Sequence, residues 1–132
     1  MNRLFYLLVS IFMLTSLIGC DDTITADDLD KREIPATNVS FKEHIQPIFQ
    51  IKCNMCHDDA SRAGGLSLTT WVSTTSDPGT VFPSEPQNSR LVWAIEGQGG
   101  TSVMPPLTSG IKLTSKQILG IKQWIKEGAL NN

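Results

Sequence analysis

The stretch Cys53-Asn54-Met55-Cys56-His57 carries the most specific chemistry in this chain of 132 residues. Two thiols separated by two residues can reach the two vinyl groups on one edge of a porphyrin and add to them as thioethers. The histidine that follows is then carried under the iron, where its imidazole can bind as the proximal axial ligand. The pattern therefore predicts a covalent attachment site for one c-type haem, with Cys53 and Cys56 as attachment residues and His57 as an iron ligand.

Three other interpretations of the same stretch stay open. A thioredoxin-like redox pair requires the two cysteines at the start of a helix inside a βαβ unit, and no strand-helix-strand pattern surrounds them. A structural zinc site requires four ligands. Only the two cysteines, His57 and the distant His44 are available, and adjacent Cys56 and His57 would chelate one ion poorly. A disulfide between the cysteines would close a very small loop and stabilise little.

Composition excludes some classes of function. The net charge of −2 carries no basic excess, so a nucleic-acid partner is not predicted. A hydrophobic content of 40% and a charged content of 18% are ordinary for a soluble globular domain. The charge is concentrated at residues 21–33, which contain six acidic and two basic residues. The remaining 99 residues, 34–132, are nearly neutral, so strong electrostatic steering of a partner is not expected.

The start of the chain has the pattern of an export signal. Arg3 precedes an apolar run of 15 residues, 4–18, which is shorter than the ~20 residues of a membrane span and suits a signal peptide. Leu17-Ile18-Gly19-Cys20 resembles a bacterial lipoprotein signal, with cleavage before Cys20 and lipid on its sulfur. An uncleaved helical anchor with an incidental Cys20 is the alternative. Both predict an exported domain that is held at a membrane.

This division gives three expected segments. Residues 1–19 form the signal peptide, and residues 20–39 contain the lipidated Cys20 and a flexible acidic tether, because they are acidic, threonine-rich and poor in large apolar residues. Residues 40–132 form the haem domain.

The haem domain is predicted to be all-α, with three to four helices around one haem, because no alternating run is long enough for a sheet. The first helix covers residues 40–52, begins with a capping box of Ser40 and Glu43, and is kinked or split at Pro47. Short helices are expected around residues 69–74 and 89–96. Leu66, Leu68 and Trp71 are expected to cover a haem edge.

The last helix is predicted over residues 115–127, with Thr114 and Gln117 as a second capping box. Its buried stripe is expected at Ile118, Ile121 and Ile125, with Leu119 and Trp124 on the flanks. We expect this helix to cross the helix of residues 40–52 and close the domain over the haem.

Met104, in Val103-Met104-Pro105-Pro106, is the candidate distal ligand. A thioether sulfur is a good soft ligand for haem iron, and a proline-stiffened loop presents it at a small ordering cost. His44 is the other candidate, although a surface or hydrogen-bonded histidine describes it better.

These residues resemble the class I cytochromes c, and more narrowly the planctomycete-type cytochrome c domain. The similarity spans roughly residues 40–130 and is carried by the segments Phe41…Ile45-Gln46-Pro47-Ile48-Phe49, Cys53-Asn54-Met55-Cys56-His57, Gly64-Gly65-Leu66-Ser67-Leu68, Ser89-Arg90-Leu91-Val92-Trp93, Met104-Pro105-Pro106 and Leu113-Thr114…Trp124-Ile125. The resemblance implies an all-α fold around one haem, with His57 proximal and Met104 distal. It also implies that the haem is attached outside the cytoplasm.

The expected function is electron transfer. A monohaem lipoprotein would carry single electrons between redox proteins on the periplasmic side of a bacterial membrane and would catalyse no reaction, because His57 and Met104 together saturate the iron. The alternative is a haem-based sensor or a peroxidase-like protein with a labile sixth ligand. A third reading is a binding lipoprotein that holds zinc, or no metal, at Cys53 and Cys56.

Overall fold

The computed structural model describes residues 23–132. These residues form six α-helices and no β-strand, which confirms the all-α class. The helices are short and more numerous than the three to four expected, because glycine and proline residues interrupt the chain between them. They are α1 (Ala26–Lys31), α2 (Gln46–Lys52), α3 (Asn54–His57), α4 (Trp71–Thr75), α5 (Arg90–Glu96) and α6 (Ser115–Lys126).

Side-chain caps set the start of several helices. At α6, Thr114 Oγ1 accepts a hydrogen bond from the Gln117 backbone N–H, and Gln117 Oε1 accepts one from the Thr114 N–H. This confirms the predicted capping box. At Ser40 only half of the predicted box forms, because Ser40 Oγ accepts from the Glu43 N–H but the Ser40 N–H donates to Nδ1 of His44. His44 is therefore a hydrogen-bonded residue of a helix start.

The predicted interruption at Pro47 is present and takes a specific form. Residues Phe41–Ile45 are a π-helical turn, in which the Gln46 N–H donates to the carbonyl of Phe41, and α2 begins directly afterwards. Pro47 occupies the first turn of α2, where its missing N–H costs no helical hydrogen bond. The π-helical turn and α2 thus follow one another directly, and α2 ends at the haem motif.

The core lies where α6 packs against the π-helical turn Phe41–Ile45, the first part of the helix that α6 was expected to cross. Trp124 is completely buried, and its ring centroid lies 5.3 Å from that of Phe41. Ile45, Ile48 and Phe49 are also fully buried.

The expected stripe on α6 is rotated. Trp124 lies at its centre rather than on a flank, Ile118 is only partly buried, and the buried face consists of Gln117, Gly120, Ile121, Trp124 and Ile125. Leu119 is 64% exposed. The physical reason is that the large Trp124 ring packs against Phe41 in the core, and its indole N–H is satisfied there by the carbonyl of Leu130.

The expected flexible tether is not free along its whole length. Residues 25–34, named here the N-terminal strap, pack against the domain, and Leu29 within it is only 2% exposed. Val39 is also buried, and the carboxylate of Glu127 accepts hydrogen bonds from the Asn38 and Val39 N–H groups, both at 2.8 Å. The side-chain amide of Gln123, which donates to Oε1 of Glu127 at 2.8 Å, and these two backbone bonds lower the pKa of Glu127. The folded unit therefore begins well before residue 40.

The predicted signal peptide and Cys20 lie outside the described residues. Within residues 23–132, no helix has the length and apolar character that crossing a membrane requires.

Gly120 is where the strap meets α6 most closely. A methyl group at this position would lie 2.8 Å from both Cδ1 and Cγ2 of Ile34. Alanine normally favours a helix interior over glycine by about 1 kcal/mol, but overpacking of a filled core costs about 1–3 kcal/mol. We therefore expect Gly120→Ala to lower the free energy of unfolding by about 1 kcal/mol, measured by urea denaturation. In an Ile34→Ala background the same change should stabilise the protein; stabilisation in both backgrounds would refute the contact.

Candidate functional site

The haem motif is a tight turn at the end of α2. Cys53 has φ −125° and ψ −38°, which breaks the helix, and α3 follows immediately. The carbonyl of Cys53 accepts hydrogen bonds from the N–H groups of Cys56 and His57, at 3.1 and 3.0 Å. These two bonds hold the three chemically active residues of the motif on one turn. Cys53 is half-buried and Cys56 is exposed.

All four predicted haem-contacting residues line the same cavity. It has a volume of about 480 Å³, within the range of small-molecule and cofactor sites, and Cys53, Cys56, His57 and Met104 contribute to its wall. The rest of its surface is mainly apolar and includes Leu66, Leu68, Leu91, Ala94, Ile95, Pro105, Pro106 and Ile111. Because Met55 also lines it, the cavity combines four sulfur-containing side chains and one imidazole with a hydrophobic lining.

The imidazole of His57 has an unused nitrogen. Its Nδ1 is one of two buried side-chain nitrogen or oxygen atoms, within residues 23–132, that have no hydrogen-bond partner. Its backbone is fixed by the Leu68 N–H, which donates to the His57 carbonyl at 2.8 Å. Buried polar atoms are normally paired, and an unpaired imidazole nitrogen suits a residue whose ring binds a metal.

Met104 reaches the cavity from the segment that follows α5. The Met104 N–H donates to the carbonyl of Ala94 at 2.9 Å, which ties this segment back onto the helix. The peptide bond between Met104 and Pro105 is cis, and Met104 is half-buried. Two segments distant in the sequence thus bring an imidazole and a thioether to one cavity.

The alternatives to a haem receive little support from this geometry. Burial raises the pKa of the Cys53 thiol to about 12, whereas a thioredoxin-like pair depends on a lowered thiol pKa. In the part of the chain that the structure describes, no group of three or more His, Cys, Asp or Glu side chains is arranged to hold a metal ion. His44 does not line the cavity, so it does not complete a zinc site with the motif.

Comparison with known proteins points to the same residues as the cavity does. Residues 53–107 match the family model described as planctomycete cytochrome C. The match is consistent with a planctomycete-type cytochrome c domain at these residues. Searches of curated proteins and of solved structures returned no match. The matched segment begins at the first cysteine of the motif and ends just beyond Met104, so it contains all four residues that the sequence placed at the site.

The similarity to this cytochrome c family model implies a covalently attached haem c. The residues present fit that group. Both cysteines are free thiols, the cavity wall is mostly apolar, and His57 keeps an unpaired nitrogen. The individual roles of Cys53, Cys56, His57 and Met104 stay predictions, which the geometry supports by bringing the four together.

The structure adds cavity residues that sequence reasoning missed, namely Lys52, Thr80 and Ile111. Arg90, which the sequence offered only as a possible partner of haem propionates, also contributes to the wall. Arg90 pairs with Asp77 and donates to Thr80 Oγ1 at 3.2 Å, so its guanidinium is already held at the wall. Lys52 directly precedes Cys53, and this adjacency is the sequence signal from which its place in the cavity wall could have been predicted.

One residue expected at the haem lies elsewhere. Leu66 and Leu68 line the cavity, as predicted, but Trp71 does not. The indole N–H of Trp71 donates instead to the carbonyl of Ala129 at 2.7 Å, and this bond fixes α4 against the end of the chain.

Proposed function

We propose that this protein is a monohaem c-type cytochrome that carries single electrons between redox proteins. The observation that carries the proposal is the meeting of Cys53, Cys56, His57 and Met104 in one apolar cavity. Cys53 and Cys56 would hold the haem as thioethers, and His57 and Met104 would occupy its two axial positions. A haem held in this way supplies an iron that accepts and releases one electron.

The residues around the site suit electron transfer rather than enzymatic catalysis. With two protein ligands on the iron, no coordination position is left for a substrate, so we propose no enzymatic step. The apolar side chains of Leu68, Leu91 and Ile95 keep water from the cavity interior and favour the less charged ferrous form. Met55 and Cys56 lie exposed at the cavity, so its edge is accessible to a partner protein.

We further propose that the protein is exported and anchored through lipid on Cys20, facing the periplasm. This part rests on the sequence of residues 1–20 and on the chemistry of haem attachment. The redox partners would meet the domain at the membrane surface in brief encounters, which suits its nearly neutral charge.

A redox titration of the full exported protein, produced with haem-maturation machinery, tests the proposal. We expect haem that survives denaturation at one per chain, a reversible one-electron transition, and no binding of carbon monoxide to the ferrous protein. Rapid binding of carbon monoxide would instead favour the haem-based sensor or peroxidase-like function. A colourless protein with free thiols at Cys53 and Cys56 would refute both.

A further inference from the structure

The N-terminal strap, residues 25–34, is attached to the domain by three kinds of contact. Leu29 is buried in the core, Ile34 packs on Gly120 of α6, and Glu33 pairs with Lys116. Its helix α1 begins at a complete capping box formed by Thr25 and Asp28. The strap is therefore a defined part of the fold, although its composition resembles that of a linker.

The strap places one carboxylate against the residue that precedes the haem motif. Nζ of Lys52 lies 2.8 Å from Oδ1 and 3.0 Å from Oδ2 of Asp30. The side-chain amide of Gln117 donates to Oδ1 of Asp30 at 3.0 Å, so α6 also holds the carboxylate in place. The hydrogen bond from Lys52 is the main reason that the pKa of Asp30 is lowered.

Lys52 is a charged residue in a buried position, which is unusual. Its side chain is only 6% exposed, while that of Asp30 is 38% exposed. A buried ammonium group costs free energy unless it is paired, and Asp30 is the acidic partner that the structure provides. Lys52 also lines the cavity that contains His57 and Met104. The residue whose ammonium group the strap neutralises is therefore part of the wall of the proposed haem site.

A charge near a redox centre shifts its equilibrium. An uncompensated positive charge disfavours the ferric form, which carries one more positive charge than the ferrous form, and so raises the reduction potential. A nearby carboxylate has the opposite effect. Burial keeps the interaction from being screened by salt as strongly as a surface pair would be.

We propose that the strap lowers the reduction potential of the haem by holding Asp30 against Lys52 in the cavity wall. The proposal depends on the proposed haem function, since the potential belongs to the bound haem. Asp30 acts through Lys52 and is a positioning residue. Removal of Asp30 leaves an unpaired positive charge, and removal of Lys52 leaves an unpaired negative charge. The two variants should therefore shift the potential in opposite directions, which a purely structural disturbance would not do.

The test compares the reduction potentials of four full-length haem-loaded variants at neutral pH. In Asp30→Asn the ratio of ferrous to ferric protein at a fixed ambient potential should rise by about threefold to tenfold. In Lys52→Met, which keeps the apolar stem, the ratio should fall by a similar factor. A tenfold change corresponds to about 59 mV for a one-electron couple. The double variant should return close to the wild type.

Asp27→Asn is the matched control, because Asp27 is on the same helix and, among residues 23–132, pairs with the exposed Lys31. It should leave the ratio unchanged. Shifts of the same sign in both single variants, or shifts no larger than that of the control, would overturn the proposal. If Asp30→Asn does not fold, the direction of the Lys52→Met shift decides.

These outcomes differ from a failure of the proposed function. A wild-type protein without covalent haem would refute the function itself, whereas a haem-loaded and reversible wild type with unshifted variants would refute only the role of the strap.

Discussion

The double variant Cys53→Ala/Cys56→Ala is expected to contain no covalently bound haem and to lose most of its cooperative fold. The cavity of about 480 Å³ would then lack its covalently held occupant. At ~24 cal/mol per Å³, a fully enclosed apolar cavity of that size would cost on the order of 10 kcal/mol, which is an upper bound here because Met55 and Cys56 leave its edge accessible. That is comparable with the whole stability of a small domain, and entry of water would recover only part of it.

Two measurements check this expectation. Haem should be absent from the denatured double variant by mass spectrometry, and its thermal unfolding by circular dichroism should become broad and shift to lower temperature. Met55→Ala is the control, because Met55 lies between the two cysteines and is 65% exposed. It should keep both the haem and the fold. A double variant that unfolds as sharply as the wild type would show that the polypeptide supplies its own core.

The second large effect is expected from Met104→Ala. The ferric wild type should show the weak far-red absorption band of a methionine-ligated haem, and the variant should lack it. Because a soft thioether favours the ferrous iron, its loss should lower the reduction potential by on the order of 100 mV. The vacated position should also allow azide or carbon monoxide to bind.

Absorption spectroscopy and a redox titration of the two proteins give this result directly. Met55→Ala again serves as the control, since it removes the other methionine of the described residues and should leave both the band and the potential intact. A far-red band that persists in Met104→Ala would mean that another residue binds the iron. Its absence from the wild type would instead favour a labile sixth position.

The local features of the fold followed from short patterns. The capping box at Thr114, the change of helix at Pro47 and the cysteine-histidine motif each depend on residues within five positions of one another. Such features are decided by backbone sterics and near hydrogen bonds, so the sequence is enough to predict them. The expectation that Met104 serves the same site as His57 needed the family resemblance as well.

The placement of the N-terminal strap could not be predicted in this way. Its acidic, threonine-rich composition is typical of a linker, and only one large apolar residue of α1, Leu29, enters the core. Its attachment depends on Gly120 and Gln117 of α6, which are more than 80 residues away. No local pattern encodes contacts of that separation. The orientation of α6 was mispredicted for the same reason, because Trp124 packs against Phe41, which is also more than 80 residues away.

By itself, the sequence placed two thiols and a histidine at a fixed spacing on one turn, and that spacing predicts a haem attachment site. The tertiary structure decided which residues surround that chemistry. It brought Met104 to the same cavity, buried Trp124 in the core and paired Asp30 with the buried Lys52. The physical reason is that covalent spacing acts along the chain, whereas burial and charge pairing act only between segments that folding has already brought together.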